Sequence, residues 1–332
     1  MRPLVPLILL LLPLALVAAL LTGDTAGSGG EARVLLLAHN MDENHPVHKG
    51  MVYMARRFSE RTGGSHRIRI YPNGQLGTER EVLELLQYGA VAMTKVSSLS
   101  LESFVPLYAV FNLPYIFKSK QHAFRVLDGP VGADMLASSR DKLFIGLTYY
   151  DSGARSFYAR VPIRHPDDLA GLKIRVMGSR TAIRMLQAMG GSPAPMPYGE
   201  IYTALQQGVI DGAENNITAL SLSRHGEVAR HYALNGHIIA PDVLIISTRV
   251  LDGLPPNVRD ALRASAVESR DHQRELWRKM TEEMMATTRG MGVTIHRTDP
   301  EPFRKRVLEL HTDLAERGTA YARMIDRIQA QP

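Results

Sequence analysis

Residues 143–160 read LFIGLTYYDSGARSFYAR, and this stretch decides the fold. Its first part, 143–150, is apolar and rich in aromatic residues, which predicts a strand. The Asp-Ser-Gly turn at 151–153 follows, and a new strand is predicted at 156–160. The turn therefore separates two series of elements, and we expect two α/β lobes joined near residue 151.

The elements on both sides of this turn alternate between strand and helix. Before the turn, strand patterns at 33–38, 68–71 and 90–96 alternate with helix patterns at 48–62 and from the Thr78/Glu81 capping box to 87. Such an order predicts a largely parallel sheet covered by helices. After the turn, strands are predicted at 173–177, 209–213 and 243–248, and helices at 179–189, 200–207 and 255–290. The last helix, roughly 50 Å long at ~1.5 Å per residue, is long enough to brace both lobes.

The composition excludes several classes of protein. The 332 residues are 45% hydrophobic and 22% charged and contain no cysteine, which rules out disulfide frameworks, iron–sulfur sites and cysteine nucleophiles. The net charge of +6 is dispersed, because Glu268, Asp271 and Glu275 lie among the arginines of 265–280. Nucleic-acid binders concentrate their basic residues on one face or tail, so no nucleic-acid partner is expected.

The N-terminus carries an export pattern. Arg2 precedes an uncharged apolar run over 3–21, and small residues dominate 22–30. This order is typical of a signal peptide. The alternative is an uncleaved anchor, because the apolar run approaches the ~20 residues that span a bilayer. In both cases we expect residues from 31 onward to work outside the cytoplasmic membrane, in the periplasm.

The sequence shows no motif that indicates catalysis or metal binding. The chain has no Gly-x-Ser-x-Gly, His-Glu-x-x-His or Walker sequence. His39, His45 and His48 are close in sequence, which allows a metal site, but hydrogen-bonded histidines fit better because no partner motif accompanies them. We therefore expect no catalytic residue, metal or cofactor.

Arg175 is the most informative charged residue. It lies in the apolar run 172–177 (LKIRVM), where strand alternation places Lys173, Arg175 and Met177 on one face. A guanidinium in a half-buried strand must be paired, and its planar fork suits a carboxylate. The carboxylate belongs either to an internal acid or to a ligand, and 211–216 (DGAENN) supplies acids and amides at another strand end.

Four stretches together resemble a known family. They are 71–77 (YPNGQLG), 168–176 (DLAGLKIRV), 195–206 (PMPYGEIYTALQ) and 209–215 (VIDGAEN). With these motifs, the chain resembles the DctP-type solute-binding components of tripartite ATP-independent periplasmic (TRAP) transporters. The resemblance implies a receptor, not an enzyme, whose cleft closes on an organic acid and delivers it to membrane permease subunits.

The resemblance also implies the architecture. The expected fold is α/β and like that of periplasmic binding proteins, with two lobes, each a sheet flanked by helices, and a long lobe-spanning helix. Lobe 1 is expected over 31–152 plus 241–280, and lobe 2 over 153–240 plus 281–332. Residues 1–30 are the expected signal peptide or anchor.

Site residues carried over from the family fall on matching positions of this chain. Arg175 matches the arginine that binds the ligand carboxylate, and Arg155 and Asn215 match residues that complete the carboxylate's surroundings. Tyr198 matches an aromatic residue that packs on the ligand. Further ligand-binding candidates, mostly in lobe 1, are Asn40, Ser97, His39, Glu43, Lys95 and Asp151.

The nature of the ligand is a further expectation from the resemblance. The Tyr198 hydroxyl, together with 93–97 and 149–155, favours a hexuronate such as glucuronate or galacturonate. The alternative within the family is a C4-dicarboxylate or a keto acid. Alternatives from other classes are a periplasmic hydrolase or lyase, and an anchored adhesin or sensor.

Overall fold

A computed structural model describes residues 32–332, and the export pattern over 1–30 lies outside this range. The described chain forms two β-sheets of five and six strands, both flanked by α-helices. The predicted α/β class with two lobes and a long helix is confirmed. No helix in residues 32–332 combines the length and apolar character needed to cross a membrane.

Eleven strands make up the two sheets of the described chain. In chain order they are β1 Arg33–Ala38, β2 His66–Tyr71, β3 Met93–Ser97, β4 Phe144–Tyr150, β5 Arg155–Ala159, β6 Lys173–Val176, β7 Ser192–Pro195, β8 Gly212–Asn215, β9 His231–Ile238, β10 Asp242–Ser247 and β11 Thr294–His296. The lobe 1 sheet has the order β2-β1-β3-β10-β4, and the lobe 2 sheet has the order β11-β9-β5-β8-β6-β7.

The α-helices cover the faces of these sheets. In chain order they are α1 Pro46–Arg61, α2 Glu79–Tyr88, α3 Ser98–Leu101, α4 Lys120–Asp128, α5 Pro130–Ala137, α6 Arg180–Ala188, α7 Ile201–Gln207, α8 Ile217–Ser221, α9 Thr248–Asp252, α10 Pro256–Gly290, α11 Glu301–Val307, α12 Glu309–Ala315 and α13 Thr319–Gln329. The capping box predicted from Thr78 and Glu81 is present, and Gly89 ends α2 in the left-handed conformation.

Both sheets are mixed, but each has only one strand that runs against the others, β10 in lobe 1 and β5 in lobe 2, so the predicted largely parallel arrangement is confirmed apart from these two strands. Strand β1 runs parallel to β2 and β3, but β10 runs antiparallel to β3 and β4. In lobe 2, β6 is parallel to β7 and β8, while β5 is antiparallel to β8 and β9. The cause is the chain path: β4 leaves lobe 1 at the edge where β10 enters it, so the two strands run in opposite directions.

Two short crossings join the lobes, at 151–154 and 239–241, and the long helix α10 holds the first of them. The Gln273 side chain accepts from the backbone N–H of Asp151 at 2.9 Å and donates to its carbonyl at 2.8 Å. Gly153 has φ +66°, and a Cβ there would come within 2.9 Å of the Trp277 ring. The crossing therefore requires glycine at this position.

The apolar core continues from one lobe into the other. One cluster of buried side chains includes Val96 and Leu99 of lobe 1 and Phe157, Ile174 and Val176 of lobe 2. Helix α10 packs on α1 of lobe 1 and on α8 of lobe 2. The bracing role predicted for this helix agrees with its contacts on both lobes.

The predicted lobe boundaries remain a proposal, with one correction at the C-terminus. Helix α13 falls in the predicted lobe 2, but it packs against lobe 1: His122 Nε2 lies 3.1 Å from the carbonyl of Ile328, and Arg327 pairs with Asp134 at 2.7 Å. Its apolar face joins the cluster that contains Val131 and Met135. Residues 319–332 therefore belong with lobe 1.

The sequence patterns do not predict strand β9, and they place strand β8 too early in the chain. Strand β9 is interrupted by Asn235 and by Gly236, whose φ is +57°, and its register against β5 shifts there. Strand β8 begins at Gly212, later than the predicted 209–213, because Val209 is exposed after a left-handed turn at Gly208.

Candidate functional site

A cavity of about 560 Å³ lies between the lobes. Its walls are segments that follow the carboxyl ends of β1, β2 and β3 in lobe 1 and of β6 and β7 in lobe 2. Open α/β sheets place their ligand sites at such strand ends, and small-molecule sites have volumes of roughly 300–1,000 Å³. The polar and aromatic lining residues are Asn40, Asn73, Thr78, Glu79, Arg80, Glu81, Ser100, Ser103, Arg175, Tyr198 and Glu200.

Arg175 lies on the lobe 2 wall of this cavity and is only 2% exposed. Its Nε and Nη2 donate to the carbonyl oxygen of Met196 at 3.0 and 2.8 Å. Its Nη1 is buried and has no hydrogen-bond partner within residues 32–332. Burial lowers the pKa of Arg175, and the charge of Glu214 offsets this in part. Because an unpaired buried cation is costly, this fork is poised for an anion from outside the protein.

Arg155 is also buried, but it is paired with an internal acid. Its Nε and Nη2 donate to the Glu214 carboxylate at 2.5 and 2.8 Å, and its Nη1 donates to Asn215 Oδ1 at 3.0 Å. Burial alone would lower the pKa of Arg155, but the Glu214 charge raises it. Burial opposes ionisation of Glu214, yet Arg155 brings the pKa of Glu214 down to about 2.

This pairing places Arg155 and Asn215 behind the cavity wall, since neither residue is among those that line it. Asn215 Oδ1 accepts from Arg155 and from the Asn216 backbone N–H at 2.9 Å, so its amide NH₂ is the end left for a ligand. Glu214 and Asn215 therefore hold the Arg155 guanidinium, and its expected contact with the ligand stays a prediction.

Tyr198 lines the cavity, but its hydroxyl already has a partner. It lies in a 3-10 turn, Tyr198–Glu200, and its OH is 2.6 Å from Ser223 Oγ. The ring is thus held in place at the wall, as expected of an aromatic residue that packs on a ligand. Ser223 takes up one hydrogen bond of this hydroxyl, so the step from the hydroxyl to a hydroxylated ligand stays a prediction.

On the lobe 1 wall, a buried lysine holds two lining residues. Lys95 donates to Asn40 Oδ1 at 3.3 Å, to Glu79 at 3.0 Å and to Asp242 at 3.4 Å, and its side chain is fully buried. Burial alone would lower the pKa of Lys95, but Asp242 and Glu79 raise it. Of the predicted residues here, Asn40 lines the cavity, whereas Lys95 acts through Asn40 and Glu79.

His39 and Glu43 are predicted site residues that do not line the cavity. His39 is buried: its Nδ1 accepts from the Met41 backbone N–H at 3.0 Å, and its Nε2 lies 3.0 Å from His48 Nδ1. Burial, with the charge of Lys95, lowers the pKa of His39 to about 2. Glu43 is exposed. Within residues 32–332, no three potential metal ligands of the His, Asp and Glu type are grouped as a metal site requires.

Ser97 and Asp151 also lie outside the cavity lining. Ser97 Oγ accepts from the Leu99 backbone N–H at 3.4 Å and caps α3. Asp151 lies in the first crossing, where its Oδ1 accepts from the Gly153 backbone N–H at 2.9 Å and its Oδ2 forms a 2.5 Å ion pair with Lys120. Both side chains have local structural partners.

Two buried contacts connect the lobes outside the crossings. Glu102 of lobe 1 accepts from the Thr181 backbone N–H and hydroxyl, both at 3.0 Å, and so caps the N-terminus of α6 in lobe 2. His45 at the start of α1 lies with its Nε2 3.2 Å from Thr218 Oγ1 of lobe 2. Both contacts join residues of different lobes, so they depend on the relative position of the lobes.

Glu79 and Ser100 line the cavity but were not predicted as site residues. Ser100 Oγ donates to Glu79 Oε2 at 2.6 Å, which fixes the carboxylate at the wall. The signal for Glu79 was present, because the Pro-Asn-Gly turn at 72–74 ends β2 and leads into α2 at the sheet edge where ligands bind. For Ser100 the sequence carries no comparable signal.

The fold and this cleft define a two-lobed solute-binding protein. The chain belongs to the bacterial extracellular solute-binding proteins of family 7, the DctP family, whose model matches residues 37–317. The resemblance found in the sequence motifs is therefore confirmed.

Individual relatives agree with this assignment. Uncharacterized protein YiiZ of Salmonella typhimurium is 41% identical, over 94% of this chain and 95% of its own length. The TRAP periplasmic solute-binding protein of Anaerococcus prevotii, solved with bound α/β-D-glucuronate, is 36% identical with a TM-score of 0.88, covering 90% of this chain and 97% of that one. The TRAP protein of Xanthobacter autotrophicus, solved with bound β-D-galacturonate, is 36% identical with a TM-score of 0.87, covering 90% and 100%.

Proposed function

We propose that the chain is a periplasmic TRAP receptor that binds a hexuronate, such as glucuronate or galacturonate, and presents it to permease subunits in the membrane. The observation that carries the proposal is the Arg175 fork, which lies on a cavity wall with a buried nitrogen unpaired in the described chain. The hexuronates bound in two structures of similar proteins supply the ligand class.

Binding begins with the ligand carboxylate. Its two oxygens accept from the Arg175 guanidinium, which relieves the unpaired nitrogen. The ring of Tyr198 packs on the sugar, and Asn40 and Glu79 face its hydroxyl groups. The receptor carries out no chemical step, and the ligand leaves unchanged.

Closure of the lobes couples binding to transport. Expulsion of water lowers the local dielectric constant and strengthens the arginine–carboxylate attraction. Because the ligand touches both walls, it binds the closed state better and shifts the population toward it. The Glu102–Thr181 and His45–Thr218 contacts then help to hold the lobes together.

A thermal-unfolding screen tests the proposal. With D-glucuronate or D-galacturonate at a hundredfold excess over Kd, stabilisation of ~2.7 kcal/mol is expected, with little effect of succinate or pyruvate. Arg175→Ala should fold and lose this effect, and Arg175→Lys should lose most of it because the fork is gone.

Arg180→Ala is the matched control, since Arg180 is exposed and lies at the start of the following helix, outside the cavity lining. It should keep the full ligand effect. Unchanged affinity in Arg175→Ala would remove the proposed carboxylate anchor, and conversion of the acid during incubation would show an enzyme instead of a receptor.

A further inference from the structure

The lobe 1 wall presents a carboxylate to the cavity. Glu79 is the first residue of α2, and its side chain is 9% exposed. One oxygen accepts from Lys95 at 3.0 Å and the other from Ser100 at 2.6 Å. A carboxylate is an acceptor only, and each oxygen has a second lone pair. Glu79 can therefore accept further hydrogen bonds from a ligand's hydroxyl groups.

Within the described chain, no buried cation on this wall is free to receive a second acidic group. Lys95 is fully buried and its three donors are directed at Asn40, Glu79 and Asp242. Arg80 lines the cavity, but its side chain is 72% exposed and pairs with Glu84 at 3.2 Å. A second carboxylate placed here would lose its water and meet a like charge, which is unfavourable on both counts.

The two walls are thus chemically opposite, with a cationic donor on lobe 2 and an anionic acceptor on lobe 1. We propose that Glu79 makes the cleft select hydroxylated monocarboxylates and reject dicarboxylates of the same carbon skeleton. This inference rests on the proposed function, because it takes Arg175 as the anchor of the first carboxylate. It adds the residue that decides what occupies the far end of the ligand.

The test compares D-glucuronate with D-glucarate, its dicarboxylate counterpart, by calorimetry on the wild type and on Glu79→Gln. Glutamine keeps an acceptor for Lys95, its NH₂ group can donate to Ser100 Oγ, and the charge is removed. The wild type should bind glucuronate at least about tenfold more tightly than glucarate, and Glu79→Gln should narrow this preference by about tenfold. Because the ring-versus-chain difference between the acids is the same in both proteins, the change in the ratio isolates the charge.

Glu60→Gln is the matched control. Glu60 is a glutamate of lobe 1 that is exposed and does not line the cavity, so its loss should leave the ratio within about twofold of the wild type. If Glu79→Gln weakens the binding of both acids equally, or if the wild type binds both acids with equal affinity, Glu79 does not discriminate between monocarboxylates and dicarboxylates. The inference then fails while the receptor function stands. If the wild type binds neither acid nor galacturonate, the proposed function fails and the inference fails with it.

Discussion

Two buried arginines flank the same strand of the lobe 2 sheet, and they differ in their hydrogen-bond partners. Arg155 on β5 and Arg175 on β6 lie on opposite sides of β8. Arg155 is forked onto Glu214, whereas Arg175 has only a backbone carbonyl and leaves one nitrogen without a partner in the part of the chain that the structure describes. A buried cation that carries its own anion stabilises the fold, and one that lacks an anion is available to a ligand. The pKa directions agree, since that of Arg155 is raised and that of Arg175 is lowered.

The contrast predicts opposite consequences for stability when either arginine is removed. Arg155→Met leaves the fully buried Glu214 carboxylate without its main partner, and breaking such a pair costs about 3–5 kcal/mol. Arg175→Met removes a buried cation that has no hydrogen-bonded acid within residues 32–332, so its free energy of unfolding should lie within about 1 kcal/mol of the wild type or above it. Urea unfolding at pH 7 without ligand measures both values.

A second substitution tests the cause of the large effect. Glu214→Gln in the Arg155→Met background removes the stranded charge, so it should recover part of the lost stability. Equal losses in Arg155→Met and Arg175→Met would contradict the distinction between the two arginines, as would a double variant that recovers nothing.

The dependence of stability on pH sharpens the comparison, because the Arg155–Glu214 pair and the buried histidines act in different pH ranges. Burial, followed by the charges of Lys95 and His48, lowers the pKa of His45 from 6.5 to about 3. Below pH 6.5 the unfolded chain therefore takes up a proton at His45 that the folded protein does not. The stability contributed by neutral His45 is complete above pH 6.5 and falls by about 1.4 kcal/mol per pH unit toward pH 3.

Glu214 does not contribute to the pH dependence of stability in the upper part of this pH range. Its pKa falls from 4.5 to about 2 on folding, so the stability that it contributes is complete above pH 4.5 and is lost only below that value. His45→Asn retains a cap for α1 but does not titrate. Its unfolding free energy, measured by urea titration at pH 6.5, 6 and 5, should fall less steeply than that of the wild type by about 1.4 kcal/mol per pH unit. An unchanged slope would mean that His45 is not the group that titrates.

The sequence could predict Arg175 but could not separate it from Arg155. Alternation along 172–177 is local, and the structure has Ile174 and Val176 buried with Arg175 facing the cavity. The partner of Arg155 depends instead on the register of β5 against β8, where Phe157 lies opposite Glu214. These strands are more than 50 residues apart in sequence, and a shift of one residue would turn Glu214 to the other face.

Glu79 illustrates a different limit. An acidic residue in the first turn of a helix is a usual helix-start signal, and the turn at 72–74 indicates the sheet edge without singling out Glu79 as the residue that faces the cavity. Its position at the site depends on where lobe 2 comes to lie, which is set by the crossings and by α10. Sequence patterns predict the local elements, the turn near 151 and the long helix. They do not predict the pairings between distant strands or which residues of the two cavity walls face each other.

The smallest expected effect concerns Tyr198, the lining residue whose hydroxyl is already bound within lobe 2. Because Ser223 Oγ lies 2.6 Å from that hydroxyl, Tyr198→Phe removes a hydrogen bond inside the protein and leaves the ring that contacts the ligand. One neutral hydrogen bond contributes about 0.5–1.5 kcal/mol, so the affinity for glucuronate should fall by no more than about tenfold. Tyr198→Ala, which removes the ring, should lose considerably more in the same titration. A larger loss in Tyr198→Phe would mean that the hydroxyl leaves Ser223 to bind the ligand, and Tyr198 would then join Arg175 as a polar anchor on the lobe 2 wall.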